Sequence, residues 1–255
     1  MHPLSDSLRD ARVGVIGAGR VGVALASALR EAGIAADGPA RRGEVPRGCT
    51  ALVLCVPDAE IGAAAATVAG AAPLIGHTSG ATALSALAPA GEGFGVHPLQ
   101  TIPEGAEGLA AFAGAGCAVA GTAPGALAFA TALARTLGME PFEIDEEGRA
   151  AYHAAASVAS NFMVTLQSAA ESIAAGAGLE RAQARALLVP LLRRTVENLA
   201  ERGPERALTG PVARGDEMTV LSQRRAVADA APQLLDLFDE LVRHTRALAS
   251  QEVGA

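Results

Sequence analysis

A short apolar segment followed by three spaced glycines, near the start of the chain, most constrains the fold. Residues 12–16 are typical of a buried strand, and Gly17, Gly19 and Gly22 follow with G-x-G-x-x-G spacing. Gly17 permits a tight turn, Gly19 lets a pyrophosphate approach the backbone, and Gly22 lets a helix pack closely on the sheet. The free N–H groups at the start of that helix favour an anion. The pattern predicts a dinucleotide site formed by Gly17, Ala18, Gly19, Arg20, Val21 and Gly22.

The residues after the glycines support this interpretation. Their apolar spacing predicts a helix from Arg20 to Ala32, with Gly33 as its C-terminal cap. Strand, turn and capped helix therefore follow one another in the order that the motif requires. In the alternative interpretation, the glycines only form a tight turn between a strand and a helix.

Length and charge limit the classes of protein that fit. A chain of 255 residues can form one large domain or two modest ones, and we favour two. The formal net charge of -7 argues against a nucleic acid or an anionic membrane surface as partner. No apolar run approaches the length of a membrane span. The segment from Met1 to Asp6 lacks the features of a secretory signal, so a cytoplasmic location is predicted.

The cysteine and lysine content excludes some chemistry. Cys49, Cys55 and Cys117 are odd in number and widely spaced, which is typical of reduced core thiols rather than disulfides or zinc ligands. No metal site is predicted. All 20 lysine or arginine residues are arginine, which excludes Schiff-base chemistry and a lysine general acid.

The end of the second strand determines which nicotinamide cofactor fits. That strand is predicted to begin at Ile34, so Asp37 comes too early to stand at its tip, where a ribose-binding carboxylate would favour NAD. The tip falls near Arg41 and Arg42, whose guanidinium groups suit a 2′-phosphate. The sequence favours NADP over NAD, and the alternative is a solvated arginine pair. Pro39 predicts an irregular strand.

Strands and helices continue to alternate through the first part of the chain. Further strands are predicted at 51–56, 73–76, 94–96, 117–120 and 141–144, with helices between most of them. Beyond Asp145 nothing resembles a strand. The sequence therefore predicts an α/β Rossmann domain with a doubly wound, mainly parallel sheet over 1–146, followed by an all-α domain over 147–255.

Candidate cofactor-binding or catalytic residues lie at the ends of three of these strands. Val56 and Pro57 come at the end of the third strand, where the loop faces the cofactor cleft. His77 and Ser79 follow the fourth strand, and His97 follows the fifth. Ligands bind at the carboxyl edge of open α/β sheets, so these loops are candidates for the active site. His77 has an alternative role in supporting its own loop.

The helical domain begins with a polar row. A long helix predicted over 148–176 carries His153, Ser157 and Asn161 four residues apart, which places them on one face. Three hydrogen-bonding side chains among alanines face either solvent or a polar site. Aromatic residues on both sides of the row favour the polar site.

The rest of the helical domain contains one loop of interest. The next helix is predicted to be kinked or divided at Pro190. In the loop over 208–216, Arg214 offers an anion-binding fork and Asp216 an acceptor, and the alternative is a surface turn with an exposed ion pair. The final helix, from about Pro232, has spare apolar surface that predicts a homodimer.

Several motifs together resemble a known family. They are Gly17 to Gly22, His77-Thr78-Ser79-Gly80, His97-Pro98-Leu99-Gln100, Tyr152 to Phe162, and Thr209 to Asp216. The chain resembles an uncharacterised Rossmann-like family whose helical second domain is a domain of unknown function. More distantly, it is similar to pyrroline-5-carboxylate reductases, prephenate dehydrogenases, deazaflavin-dependent NADP reductases and β-hydroxyacid dehydrogenases. Those relatives pair a Rossmann domain with a dimerising helical domain, and the resemblance implies hydride transfer.

The resemblance also implies roles for individual residues. In prephenate dehydrogenases a histidine before a proline assists the reaction, and His97 is similar. In β-hydroxyacid dehydrogenases a lysine precedes an asparagine by four residues. Asn161 matches that asparagine, but Ser157 occupies the lysine position. The proton must then come from elsewhere, and His153 is available one helical turn earlier.

Two functions are consistent with the sequence. The leading hypothesis is an NADP-dependent oxidoreductase that acts on a small carbonyl, imine or hydroxyl substrate, such as a 2-keto acid, in a cleft between the domains. His97 or His153 exchanges the proton and Ser79 and Asn161 orient the substrate. The predicted substrate-binding residues are Ser157, Arg214 and Asp216. The alternative is a non-catalytic NADP sensor, which the missing lysine favours.

Overall fold

The computed structural model describes residues 6–251, which divide into two compact units. The first unit ends at Ser157 and the second begins at Val158. Residues 1–5, on which most of the prediction about a secretory signal rests, lie outside the described part. The first unit contains all the strands of the described chain, and the second is helical.

The first unit alternates strands with helices. The strands are β1 (Arg12–Ile16), β2 (Ala35–Ala40), β3 (Ala51–Leu54), β4 (Leu74–His77), β5 (Glu92–Leu99), β6 (Gly116–Gly121) and β7 (Glu140–Glu143). The helices are α1 (Asp6–Arg9), α2 (Arg20–Glu31), α3 (Ile61–Thr67), α4 (Pro124–Thr136) and α5 (Arg149–Ala159), whose last two residues belong to the second unit. Short 3₁₀ segments lie at Asp58–Glu60, Leu84–Ala90, Leu109–Ala111 and Glu146–Gly148.

The described strands form one sheet in the order β2-β1-β3-β4-β5-β6-β7. The strands from β2 to β5 in this order are parallel, β6 is antiparallel to β5, and β7 is parallel to β6. The chain leaves β1 toward β2 on one side and returns to β3 on the other, which creates a switch point at the carboxyl ends of β1 and β3. The predicted mainly parallel sheet is confirmed.

Apolar residues cover both faces of the sheet. On one face, Val13, Val53 and Phe94 pack in a cluster with residues of α2 and α4. On the other face, Leu52 and Leu54 pack with residues of α3 and the Leu84–Ala90 segment. The side chains of β3 alternate between these clusters, and every residue of β3 is fully buried. The sheet is therefore doubly wound, as predicted.

The second unit contains α6 (Asn161–Ala174), α7 (Arg181–Ala207), α8 (Glu217–Ala230) and α9 (Leu235–Gln251). The carboxylate of Glu171 on α6 is 97 % buried and accepts hydrogen bonds from Arg185 and Arg181 of α7 and from Gln167. The hydrogen bond from Arg185 is the main reason that the pKa of Glu171 is lowered to about 2. This ionised carboxylate joins α6 to α7.

The structure differs from the predictions about the helices in three places. The single helix predicted over 148–176 is divided at Ser160, which separates α5 from α6. The helix α7 is not divided at Pro190. It leaves helical geometry at Gly203, where φ is 76°, because glycine tolerates that conformation and Pro204 disfavours a helical residue before it. The helix α8 was not predicted, since only two of its residues are buried and its apolar pattern is weak.

Candidate active site

The turn between β1 and α2 requires two of its glycines. Gly17 has a φ of 108°, and a Cβ there would overlap the carbonyl of Cys55. A Cβ on Gly22 would overlap the carbonyl oxygen of Gly17 and lie 3.3 Å from the Cβ of Cys55. The turn therefore closes tightly against the end of β3. A Cβ on Gly19, in contrast, would meet no atom within 4 Å, so the space beside this residue is open.

The start of α2 is suited to an anion. Gly19 is the N-cap residue, no side chain caps the helix, and its first turn contains no acidic residue. The first N–H groups of a helix lack partners within the helix. Those of Arg20, Val21 and Gly22 therefore remain available beside the open space at Gly19.

A pocket of about 370 Å³ lies at the switch point of the sheet. Its lining combines the end of β1, the segment after β2, the end of β3, and α3 with the 3₁₀ turn before it. The lining residues are Ile16, Gly17, Arg42, Gly43, Glu44, Val45, Val56, Ala59, Glu60, Ala63, Ala64, Thr67 and Val68. Pro57 is exposed next to Val56 and precedes that 3₁₀ turn.

The second strand ends where the sequence predicts. Its last residue is Ala40, so Arg41 and Arg42 follow the tip, and only Arg42 lines the pocket. The Arg42 side chain is 84 % exposed, with Nη2 at 2.5 Å from the Glu60 carboxylate. Asp37 lies within the strand and its carboxylate accepts hydrogen bonds of 2.7 and 3.0 Å from Arg12 at the start of β1. That hydrogen bond is the main cause that lowers the pKa of Asp37.

The predicted irregularity of the second strand is confirmed. The register between β1 and β2 shifts between Gly14 and Ile16, opposite the segment that contains Pro39. Proline has no backbone N–H to donate to the ladder. The shift leaves the tip of β2 beside Gly17, whose N–H donates to the carbonyl of Ala40.

His77 supports the loop that follows β4. It is the last residue of the strand, is fully buried, and its Nδ1 accepts a hydrogen bond of 3.2 Å from the backbone N–H of Ser79. Burial is the main cause that lowers its pKa to about 4. The Ser79 hydroxyl also acts within this loop, because it accepts from the N–H groups of Ala81 and Thr82 and bonds to the Thr82 hydroxyl.

The position of His97 corrects the sequence prediction. The fifth strand was predicted to end before this residue, but β5 continues to Leu99 and places His97 opposite Ala118 of β6. Antiparallel pairing with β6 extends β5 beyond the last residue of β4, which lies opposite Gly95. His97 therefore stands beyond the carboxyl end of β4. The loop after β4 packs against its ring, since a Cβ on Gly80 would lie 2.7 Å from His97 Cε1.

A hydroxyl group fixes the His97 ring. His97 Nδ1 lies 2.7 Å from the Tyr152 hydroxyl, and the two rings are perpendicular. Burial raises the pKa of Tyr152 to about 12, so the phenol keeps its proton and can donate it to Nδ1. Burial, and then His153, lowers the pKa of His97 to about 4. The His97 ring is therefore neutral near pH 7, and the tautomer with its proton on Nε2 lets Nδ1 accept the hydrogen bond from Tyr152.

The structure brings together some of the predicted residues and separates others. His153 lies beside His97, with 6.1 Å between ring centroids. Ser157 is half-buried in α5, and the exposed Asn161 follows the break at Ser160, so the predicted row on one continuous helix is wrong. In the second unit, Arg214 lies in the predicted loop.

Asp216 has a structural role at the end of that loop. Its carboxylate accepts hydrogen bonds of 3.1 Å from the Thr219 N–H and 2.7 Å from the Thr219 hydroxyl. These bonds lower its pKa and cap α8.

Sequence reasoning missed two residues of this site. Tyr152 was noted only as a neighbour of the polar row, although its position beside His153 on the helix was a usable signal. Arg149 is 95 % buried, and its Nη2 would lie 3.5 Å from a Cβ on Gly95. No sequence signal distinguished this arginine from the others.

Other predictions concern metals, membranes and thiols. The described residues contain no group of three or more His, Cys, Asp or Glu side chains that could hold a metal ion. Between residues 6 and 251, no helix has the length and apolar character needed to cross a membrane. The three cysteines are free thiols, as predicted, with Cys49 and Cys117 buried in the core.

Comparison with known families identifies the chain. The model of a domain of unknown function (DUF2520) matches residues 115–245, just over half of the 255 residues. The chain belongs to the DUF2520 family. This membership confirms the resemblance seen in the sequence. A search of curated protein sequences returned no match.

Solved structures share the fold of this DUF2520 protein. A protein from Bacteroides fragilis, described as a candidate NADP oxidoreductase, is 22 % identical with a TM-score of 0.80, covering 94 % of this chain and 99 % of its own. A Thermotoga maritima protein is 24 % identical with a TM-score of 0.75, over 94 % and 99 % of the two chains. The Plasmodium falciparum pyrroline carboxylate reductase with NADP bound is 14 % identical with a TM-score of 0.61, over 95 % and 99 %. At these identities the comparisons establish the Rossmann-like fold.

Proposed function

We propose that this protein is an NADP-dependent oxidoreductase that acts on a small carbonyl, imine or hydroxyl substrate. The observation that carries the proposal is the neutral His97, fixed by Tyr152, at the same carboxyl edge of the sheet as a glycine turn open to an anion. The Plasmodium reductase of the same fold has NADP bound, and an Aspergillus terreus reductive aminase was solved with NADPH. We propose 1–146 as the cofactor domain and 147–255 as the substrate domain, in a cytoplasmic protein.

The first unit has the features that NADP requires. The open space at Gly19 and the N–H groups at the start of α2 suit the pyrophosphate. The pocket of about 370 Å³ suits the adenosine, with Arg42 at its rim for the 2′-phosphate. A phosphate there would replace the Glu60 carboxylate as the partner of Arg42.

The chain's own residues position the substrate and its proton. The bound cofactor supplies or accepts the hydride. His97 donates a hydrogen bond from Nε2–H to the substrate oxygen or nitrogen, which polarises the bond that reacts. Tyr152 keeps His97 in this tautomer. His153 is the second candidate for proton exchange, and Ser79 holds the loop against His97. Asn161 remains a predicted catalytic residue that orients the substrate, and Ser157, Arg214 and Asp216 remain predicted substrate-binding residues.

The proposal is tested by cofactor binding and turnover together. Binding of NADPH is followed by the change in the cofactor's own fluorescence. We expect binding of NADPH and its oxidation with at least one member of a panel of 2-keto acids, imines and simple ketones. Failure to bind NADPH would overturn the proposal.

A non-catalytic NADP sensor is the second candidate. The observation that favours it is Ser157 at the position of the lysine in β-hydroxyacid dehydrogenases. Stoichiometric NADPH binding without turnover on any member of the panel would support the sensor and contradict the oxidoreductase.

Arg42 is expected to distinguish NADPH from NADH. The variant Arg42→Ala should raise the Kd for NADPH about tenfold or more and leave the Kd for NADH unchanged, because one charge-assisted bond to the 2′-phosphate is lost. Fluorescence titration measures both constants. Arg41→Ala is the matched control and should have a smaller effect, since Arg41 does not line the pocket. An equal loss for both cofactors in Arg42→Ala would contradict the assignment.

The second unit exposes apolar side chains that suit a homodimer. They include Phe162, Val164, Leu187, Leu191 and Met218. Leu187 and Leu191 lie on one side of α7, and their exposed fractions are 59 % and 63 %. Exposed apolar patches of this kind mark association surfaces. Sedimentation velocity should show a dimer that Leu187→Glu with Leu191→Glu converts to monomer. Ala182→Glu, on the opposite side of α7, should leave the dimer intact. A monomeric wild type would contradict this proposal.

A further inference from the structure

Arg149 is a buried cation for which the described part of the chain provides no buried anion. The residue is only 5 % exposed, at the start of α5. Within residues 6–251, its ion pair joins Nε to the Glu146 carboxylate at 3.6 Å, which is too long for a hydrogen bond, and the Glu146 side chain is 54 % exposed. A buried guanidinium with so weak a partner is costly unless another anion completes it.

Two orphaned donors lie in the same cluster. Among the described residues, the buried side-chain nitrogens and oxygens without a hydrogen-bond partner are Arg149 Nε and His77 Nε2. Because His77 Nδ1 accepts from Ser79, the proton of the neutral His77 ring is on Nε2, so this atom is also a donor. Two unrelated side chains, from β4 and α5, therefore both lack an acceptor.

The sheet register places these donors beside His97. His77 is opposite Gly95, and Arg149 Nη2 lies over Gly95 on that face. His97 is two residues beyond Gly95 on the same strand, so it is on the same face. The charges of Arg149 and of the exposed Asp58 both act on the two histidines, whose rings are neutral. This face of the sheet edge therefore presents several donors and one cation.

We infer that the Arg149 guanidinium binds a carboxylate that the substrate carries next to the carbon that reacts at His97. The inference rests on the proposed function, which it narrows to 2-keto, 2-imino or 2-hydroxy acids. It also assigns the substrate carboxylate to Arg149 of the first unit, whereas the sequence predicted Arg214.

Oxamate is a suitable probe because it carries a carboxylate beside a carbonyl that resists reduction. Its binding is followed by NMR of the histidine ring protons, without cofactor and again with NADPH. We expect wild type to bind oxamate but not its uncharged ethyl ester. The variant Arg149→Met should weaken oxamate binding at least about tenfold, and Arg149→Lys should weaken it less. The Kd for NADPH should not change in either variant.

A second variant separates a binding role from a structural one. Glu146→Gln removes the exposed carboxylate that competes for Arg149, so it should tighten oxamate binding about threefold or more. If the ion pair between Arg149 and Glu146 had only a structural role, Glu146→Gln would leave oxamate binding unchanged or weaken it. Thermal unfolding checks that each variant is folded. We expect Arg149→Met to fold, because an apolar residue of similar volume is tolerated in place of a buried cation.

The outcomes distinguish this inference from the proposed function. Equal oxamate affinity in wild type and Arg149→Met, or no binding to wild type in either cofactor state, would overturn the assignment of Arg149. If oxamate binding depends on Arg149 but the protein fails to bind NADPH, the proposed oxidoreductase function would be overturned. The assignment of Arg149 as an anion-binding residue would still stand. Turnover of carboxylate-free ketones as fast as 2-keto acids would also overturn the inference.

Discussion

Replacing His97 with asparagine will lower kcat for the proposed reaction by about 10²- to 10⁴-fold, the usual contribution of a positioned proton-transfer group. Asparagine retains an amide that can bond to Tyr152 but cannot exchange a proton in the same way. The measurement is steady-state oxidation of NADPH with the best substrate of the panel. Because burial lowers the pKa of His97 to about 4, the ring stays neutral through the neutral pH range, and kcat should show no inflection near pH 6.5 from this residue.

The control for this prediction is Tyr152→Phe. It removes the hydroxyl that fixes the His97 tautomer but leaves the imidazole, so its loss of kcat should be smaller. Both variants should bind NADPH as wild type does. If His153→Asn loses all turnover while His97→Asn has a normal kcat, the proton-transfer role belongs to His153. Normal turnover in the double variant would contradict proton transfer by either histidine.

Two glycines of the turn after β1 should fail in different ways when replaced by alanine. Gly19→Ala should raise the Kd for NADPH at least about tenfold, because the methyl group enters the open space assigned to the pyrophosphate. Its free energy of unfolding should match wild type, since the methyl group meets no protein atom within 4 Å. Gly22→Ala should destabilise the protein by about 2 to 4 kcal/mol, because its methyl group overlaps the Gly17 carbonyl.

Chemical denaturation and fluorescence titration measure these two effects separately. The two variants are matched controls for each other, since each adds one methyl group to the same turn. If Gly19→Ala binds NADPH normally, the phosphates do not approach this turn and the glycines only shape the connection. If Gly22→Ala is as stable as wild type, the tight contact with Gly17 is not required for the fold.

The first unit was predictable because its signals are local. An apolar strand, a glycine turn and a helix ending before Gly33 depend on residues close in sequence, and α2 was placed within one residue of its observed end at Glu31. The tip of β2 was also placed correctly, since helix end and strand length together fix it. Local backbone preferences and periodic burial determine such elements.

The active-site neighbours were harder to predict because they depend on distant pairing. The length of β5 is set by β6, which pairs with His97 through Ala118 from 21 positions further along the chain. The burial of Arg149 likewise depends on its position over Gly95, and the division at Gly203 overrode the stronger apparent signal of Pro190. Spacing along one helix identified His153 but did not reveal that Tyr152 is the residue bonded to His97.

The placement of His97 within a paired strand affects how this protein could change substrates. Its backbone is held by β6, whereas one side of its ring faces the loop that contains Ser79 and Gly80. Substitutions in that loop can alter the shape presented to a ligand without displacing the imidazole. New specificities should therefore arise by exchange of loop residues, while the group that handles the proton stays in place through such divergence.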